Sequence, residues 1–498
     1  MLHVGALRTV VFDHLFARRF GGQFILRIED TDRSRYDPTS EVEIIETLRW
    51  VGIEFDEGPH VGGPHAPYRQ SERKELGIYS RWADRLIAHG HAYKAFDTPE
   101  EIEAMRAAQK EAKASVGYFG GHWRDATAAA IADAEEAGRP FVIRQKIPRG
   151  RKIVARDEIH GQIEVNSDLL PDPVLVKTDG MPTYHLAAIV DDHLMEITHV
   201  LRGDEWMPSF PQHWLLYEQF GWTPPVYVHC PVIVGPDGKK LSKRHGATRV
   251  LDYGAMGYLQ NALINFLALV GWSPGDEREI MSEQELIQAF SLQGIQPSPG
   301  RFDMEKLRWL NGMRIREMTP EQALDTVLEL AENPHSKTYW TSVEGENIDG
   351  PLVYRRLERI ATETARHRGY VLAAIKEIQP RVQTLVDFGE GLEFFLVEEP
   401  TMDAKAVAKW FKEPHAEELF DFVTSHLLAR PGMTPTDFED LLKQFQAHKG
   451  LDKLGPVVHP VRVALTGKTV GPGLFELMAL LGPDRIAARL ARAKAMIA

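Results

Sequence analysis

The apolar periodicity of this chain changes character once, near residue 250, and no single layer arrangement accommodates both halves. Upstream, helix and strand patterns alternate. Residues 6–20 read as a helix with Val11, Leu15 and Phe16 on one side, stopped by Gly21-Gly22, and "QFILRIED" follows as a strand. After Asp37-Pro38, Thr39 or Ser40 can cap a second helix, on which Ile44, Ile45, Leu48 and Val51 share a face. Helix, strand, helix is the rhythm of a parallel α/β sheet. Residues 71–187 mix helices with hairpin-like strands such as "RPFVIRQKIP" and "VLVKTDGMPTYHLA". The first rhythm then returns: "EITHVLRGDEW" and "PPVYVHCPVIVG" read as strands, with "SFPQHWLLYEQFG" as the helix between them. The sheet is therefore expected to be interrupted by an insertion and resumed. Downstream, amphipathic helices dominate; in "TPTDFEDLLKQFQAHKG", Thr434 caps, Pro435 takes the first helical position, Phe438, Leu441, Leu442 and Phe445 form one stripe, and Gly450 ends it. "NPHSKTYWTSVEGENIDGP" reads as a loop, an insertion or a linker.

At 498 residues the chain exceeds what one hydrophobic core holds, so several domains are expected. The N-terminus has no basic patch ahead of an apolar run, and no segment is long and apolar enough for a membrane span, which predicts a cytoplasmic protein. A single cysteine, Cys230 in "YVHCPVIV", excludes an internal disulfide and reads as a small buried residue. With 58 basic against 71 acidic side chains, the formal charge of −13 argues against a general nucleic-acid binder, so an RNA partner would need local basic patches. One candidate is "IPRGRKIVARDEIHG", a hairpin carrying Arg149, Arg151, Lys152 and Arg156, for which a solvated charged loop is the equally open reading.

Two segments carry concentrated chemistry. His3-Val4-Gly5-Ala6 stands at a helix start, where backbone N–H groups and the helix dipole favour an anion and glycine lets a phosphate or flat ring approach. "GPDGKKLSKRHGA" is a glycine-flanked loop with Lys239, Lys240, Lys243 and Arg244 around a serine, suited to clamping a polyphosphate whose charge shifts during nucleotidyl transfer.

Together these resemble the paired nucleotide motifs of class I aminoacyl-tRNA synthetases, His3–Ala6 resembling "HIGH" and "KLSKR" resembling "KMSKS". "GGQFILRIEDTDRSR", "LRWVGIEFDEGP", "PYRQSER", "TYHLAAIVDDHLM", "THVLRGDEW" and "FDMEKLRWLNG" further resemble the bacterial-type glutamyl-tRNA synthetases, in order and over more than half the chain. The resemblance implies a Rossmann-like parallel-sheet catalytic domain split by an α+β acceptor-stem insertion and followed by all-α anticodon-binding domains. The expected borders are 1–70 and 188–235 for the catalytic halves, 71–187 for the insertion, 236–319 for a stem-contact region with the KMSKS-like loop, and 320–498 for the anticodon-binding region.

The family's reaction joins glutamate to ATP as glutamyl-adenylate, releases pyrophosphate, and passes the glutamyl group to the terminal ribose of tRNA(Glu). The resemblance assigns His3, Lys240 and Lys243 to catalysis on the phosphates, and Gly5, Glu205, Trp206 and Ile233 with them to the ATP site, Mg²⁺ neutralising the remaining charge. It assigns Glu29 to the substrate ammonium and Tyr184 and Arg202 to the glutamate pocket, while Glu29 could instead pair with Arg27 or Arg33 and Trp206 could be core. Arg149, Arg151, Lys152 and Arg381 are the candidate tRNA contacts, Arg381 aligning with an arginine that reads the last anticodon base or else facing solvent on a helix. A monomer is implied. Alternatives to a strict tRNA(Glu) enzyme are one that also glutamylates tRNA(Gln) and a catalytically impaired tRNA-binding paralogue.

Two departures from the pattern stand out. Where some relatives carry a cysteine-rich zinc knob, "YKAFDTPEE" has Tyr93, Ala95 and Phe96 and no thiolate, so no structural zinc is expected. Relatives also carry a strand and turn of the type R-x-A-P-S-P-T-G ahead of the histidine, and its arginine pairs with the substrate's side-chain carboxylate. Only Met1 and Leu2 precede His3, which leads to the expectation of a mis-assigned start and a longer natural protein. Without that arginine, one charge-assisted bond worth roughly 1.5–3 kcal/mol would be missing from the glutamate pocket.

Overall fold

A computed structural model describes residues 2–32, 36–241, 249–345, 348–430 and 432–497. The chain packs as two units, one of residues 1–250 with 264–303, the other of 251–263 with 304–498.

In the first unit, α1 (Val4–Phe20) starts at His3 and stops at Gly21, whose φ of 65° is the left-handed conformation that ends a helix cheaply only in glycine. Val4, Leu7, Val11, Phe12 and Leu15 are fully buried, while Phe16 is half-buried with its ring centroid 4.6 Å from that of His199. α2 (Pro38–Trp50) is capped by Asp37, not by Thr39 or Ser40: its carboxylate accepts the Thr39 N–H, and Pro38 fills the first helical position. Of the expected face, Leu48 and the following Val51 are buried and Ile44 and Ile45 only half so.

"QFILRIED" does not form a ladder. It makes single parallel bridges, Ile25 to Glu57 and Ile28 to Arg69, to two separate segments that each meet it at one residue. The Leu26 N–H donates to the Glu57 carbonyl and the Ile28 N–H to that of Tyr68, both at 2.9 Å, which holds the segment extended without a strand partner along its length.

The helices α3 (Gln70–Glu75), α4 (Ile78–Ala88), α5 (Pro99–Glu111) and α6 (Ala128–Glu136) accompany an antiparallel sheet of β1 (Ala92–Ala95), β2 (Val142–Gln145) and, later in the chain, β5 (Val174–Val176), in the order β1-β2-β5. Tyr93, Ala95 and Phe96 are buried there with Tyr118, Trp123 and Ala134 in a largely aromatic core. The hairpin of β3 (Lys152–Asp157) and β4 (Gly161–Asn166) forms as expected but does not stay within the insertion. With β6 (His199–Gly203) and β7 (Val226–Cys230) defined, the second sheet runs β4-β3-β7-β6, in which β3 lies parallel to β7 at Asp157–Tyr227 and β7 parallel to β6 over five pairs. The "insertion" thus supplies two strands to the resumed sheet. α7 (Tyr184–Leu194) and α8 (Phe210–Phe220) cover it, and β8 (Ile233–Val234) pairs in parallel with β9 (Gly300–Arg301). Cys230 is fully buried, and that burial pushes its thiol up to about 12, consistent with a packing residue.

Among the described residues the second unit is helical apart from a short pairing of Glu344–Gly345 with Ile348–Asp349. The helix Pro435–His448 is capped by Thr434 in a reciprocal box with Asp437 and buries Phe438, Leu441, Leu442 and Phe445. The segment read as a loop contains the helix Pro334–Ser342: the Asn333 side chain accepts the His335 and Ser336 N–H groups, and the buried Trp340 donates its indole N–H to the Ala255 carbonyl at 2.8 Å. Its Asn-Pro start is a cap and first turn, which resembles a turn signal when read without the tertiary contact.

Candidate active site

His3 is the N-cap of α1. Its Nδ1 accepts the Ala6 N–H at 3.2 Å, which leaves the ring's proton on Nε2 at the free edge, able to donate to an anion. Gly5 makes this possible sterically: a Cβ there would stand 3.2 Å from His3 Cε1 and Nδ1. Partial burial, then the neighbouring Lys240, lower the His3 pKa, and Glu205 works against them. A neutral donor, a lysine and a carboxylate thus converge at a helix start.

Lys240 is held by a narrow turn off β8. Val234 and Lys240 form an antiparallel bridge, the Leu241 N–H donates to the Ile233 carbonyl at 2.9 Å, and the Gly235 N–H to that of Lys239 at 2.8 Å. Ile233 itself is buried and supplies this anchor. Arg249, past the basic loop, bridges His3 at the helix start; Lys243 and Arg244 lie outside the described residues.

The second cluster forms where β6 meets α7. Tyr184 is the first residue of α7, and its ring lies 4.2 Å from that of Trp206, which is 36% exposed and so is not core. Burial and the Glu29 carboxylate push the Tyr184 phenol up to about 12, which keeps it a donor. Arg202, buried on β6, donates from Nη1 to the Tyr184 hydroxyl at 3.3 Å. Glu29 accepts from Arg27 at 2.9 and 3.2 Å, both through Oε1, while Arg27 also reaches Asp192 at 2.8 Å. The pairing with Arg27 therefore exists, and it leaves Oε2 for a further partner. Next to Asp192, Asp191 is fully buried and accepts from Gln70, Arg73 and Tyr79 within 2.9 Å, which fixes α7 to α3 and α4. Glu205 curls back over the backbone, its Oε2 lying 2.1 Å from where a Gly203 Cβ would be.

The structure brings His3, Gly5, Lys240 and Glu205 together, and Glu29, Tyr184, Arg202 and Trp206 together. The basic hairpin is less free than its sequence reads. Arg149 donates to the carbonyls of Phe119, Ser167 and Leu170 and to Asp172, Arg151 pairs with Glu218, and Lys152, 72% exposed, reaches Glu164 at 2.6 Å. In the second unit Arg381 donates to the Gly471 carbonyl. Sequence reasoning named Arg27 only as a possible partner of Glu29 and missed Asp157, Asp192, His213 and His229 around the pocket. The one available signal was polar residues inside otherwise apolar elements, such as His213 in "SFPQHWLLYEQF".

Residues 1–309 match the model of the catalytic domain of class I tRNA synthetases (E and Q), and residues 352–494 match an anticodon binding domain. A glutamate–tRNA ligase of Thermus thermophilus is 41% identical over 494 residues, covering 99% of this chain and 97% of the relative. One of Roseiflexus castenholzii is 41% identical over 501 residues, covering 100% and 94%. The crystal structure of a glutamate tRNA ligase from Elizabethkingia meningosepticum in complex with its amino acid superposes with a TM-score of 0.86 at 36% identity, covering 100% of this chain and 97% of that one. The chain therefore belongs to the class I tRNA synthetases, in the glutamate–tRNA ligase family.

Proposed function

We propose that this chain is a glutamate–tRNA ligase whose two side-chain clusters divide the work of activation. The observation that carries the reading is the juxtaposition of a buried, incompletely hydrogen-bonded arginine with a tyrosine and a glutamate: Arg202 and Tyr184 offer donors to a carboxylate, and Glu29 Oε2 offers an acceptor to an ammonium. An α-amino dicarboxylic acid has that polarity. The α-carboxylate oxygen attacks the α-phosphorus of ATP, the bond to the bridging oxygen breaks, and pyrophosphate leaves with that electron pair. A terminal ribose hydroxyl of tRNA(Glu) then attacks the acyl carbon, loses its proton and expels AMP.

Such chemistry asks for positioning and charge stabilisation more than for covalent help. His3 would donate Nε2–H to the phosphates at the start of α1, where the dipole and free N–H groups add to it, with Gly5 keeping the approach open. Lys240 and Lys243 would neutralise the triphosphate and departing pyrophosphate, and Glu205, Trp206 and Ile233 would border the nucleotide. Mg²⁺, when bound with ATP, would neutralise the phosphate charge that His3, Lys240 and Lys243 leave uncompensated. Residues 71–187 would meet the acceptor stem with Arg149, Arg151 and Lys152, residues 236–319 the stem beyond it, and residues 320–498 the anticodon with Arg381. The reading is of a monomer acting in the cytoplasm; among the described residues no helix is long and apolar enough to cross a membrane.

The test is glutamate-dependent ATP–pyrophosphate exchange, with and without tRNA(Glu), followed by charging. Exchange that needs glutamate and is lost on Glu29→Gln supports the reading. Exchange driven equally by glutamine or aspartate would overturn it.

A further inference from the structure

Arg202 is held in an unusual way. Its Nε donates to His229 Nε2 at 2.9 Å and its Nη1 lies 3.2 Å from His213 Nδ1, with all three side chains buried. Among the described residues no carboxylate bonds it, and Nη2 is buried without a partner. A guanidinium anchored by carboxylates has its charge neutralised in place; one anchored by neutral imidazoles is oriented with its charge intact. That is what a site for an incoming carboxylate requires.

The imidazoles can do this only in one tautomer each. For His229 the choice is made by Asp157, whose Oδ2 takes both the His229 backbone N–H at 2.9 Å and its Nδ1 at 2.8 Å, so Nδ1 carries the proton and Nε2 is left as an acceptor. Asp157 is itself fixed by the backbone N–H groups of Ile159 and His160 on Oδ1, at 3.0 and 2.8 Å. Burial resists its ionisation, but these bonds and His229 hold its carboxyl below the usual range. For His213, Nδ1 accepts from Arg202, so Nε2 carries the proton and donates to His185 Nδ1 at 2.8 Å. Burial lowers the pKa of His213 and His229, and Arg202 lowers both further, in keeping with neutral rings. Aromatic faces complete the cage, the Arg202 carbon lying 4.9 Å from the Tyr227 ring centroid.

We propose that His229 and His213 are positioning and specificity-determining residues that keep Arg202 oriented and un-neutralised for the substrate carboxylate, and that Asp157, delivered by the β3–β4 hairpin, sets the His229 tautomer. This rests on the assignment of Arg202 to the glutamate pocket. His229→Leu removes the acceptor, His229→Gln keeps one near the same place, and Asp157→Asn removes the anion that selects the tautomer. In tRNA-dependent pyrophosphate exchange, His229→Leu raises the glutamate KM at least about tenfold while the ATP KM stays within about twofold, and His229→Gln recovers most of the loss. Asp157→Asn lies between them. An unchanged glutamate KM in His229→Leu, a parallel rise in the ATP KM, or a Gln variant no better than Leu overturns the proposal. Arg202→Lys separates the two claims: if it leaves the glutamate KM unchanged, the pocket assignment fails, whereas an effect there without one at His229 fails the positioning role alone. Should the Leu variant not fold, the unsubstituted protein with ¹⁵N-labelled histidine decides. His229 should show Nδ1 protonated and Nε2 bare at neutral pH; a proton on Nε2 contradicts the proposal.

Discussion

At the residue scale, the site depends on what small side chains leave open and on what buried histidines do not bind. Gly203 is the clearest case of the first. A Cβ there would overlap Glu205 Oε2, the far end of a flexible side chain, so Gly203→Ala should displace the carboxylate at little cost to the fold. The expected outcome is an ATP KM raised several-fold with a Tm within about 2 °C of the parent, read by exchange kinetics and calorimetry. The second follows from protonation. His185, His213 and His229 all have pKa values below the ordinary 6.5, chiefly through burial. Unfolded, each would bind a proton near that value; folded, each resists. Stability from these groups is therefore complete above about pH 6.5 and is lost as the pH falls below it. His213→Gln should flatten the fall in unfolding free energy between pH 6.5 and 5 by up to about 1.4 kcal/mol per pH unit, measured by urea unfolding. Parallel curves for variant and parent would show that His213 is protonated in the folded state.

At the element scale, local signals settled most helices. The capping box at Thr434 and the glycine stop after α1 are contacts within one turn, and both stand where the sequence puts them. Thr434→Ala should destabilise the helical unit by about 1 kcal/mol, visible as a lower urea midpoint. Elements whose existence depends on distant partners were less legible. "QFILRIED" has the composition of a strand, but a ladder needs a neighbour of matching length, and two separate segments each bridge it at one residue. Pro334–Ser342 has the composition of a loop, yet Trp340 and the Asn333 cap make it a helix.

At the scale of the whole molecule, the charge of −13 sets the terms for a polyanionic partner. Long-range attraction is not available to it, so tRNA affinity should come from a few local phosphate contacts and show a shallow salt dependence. Lys152, on the hairpin's leading strand, is exposed and paired with only Glu164. Lys152→Ala is expected to weaken tRNA binding modestly and to lower the slope of log K against log salt by about 1, by filter binding. An unchanged slope would place the acceptor stem elsewhere.

Much of the molecule was determined within short windows of sequence. The α/β rhythm giving way to helices, the cap at His3, the stop at Gly21 and the buried Cys230 rest on periodicity, capping and side-chain size, which act over a few residues. The surroundings of Arg202 were decided only in three dimensions. Asp157, His213 and His229 come from three elements, and nothing in the spacing of a histidine says which nitrogen will face a guanidinium. Sheet order brings β3 beside β7, burial makes each unmatched polar atom costly, and the geometry that partners every donor nitrogen of Arg202 except Nη2 exists only once the sheet has closed.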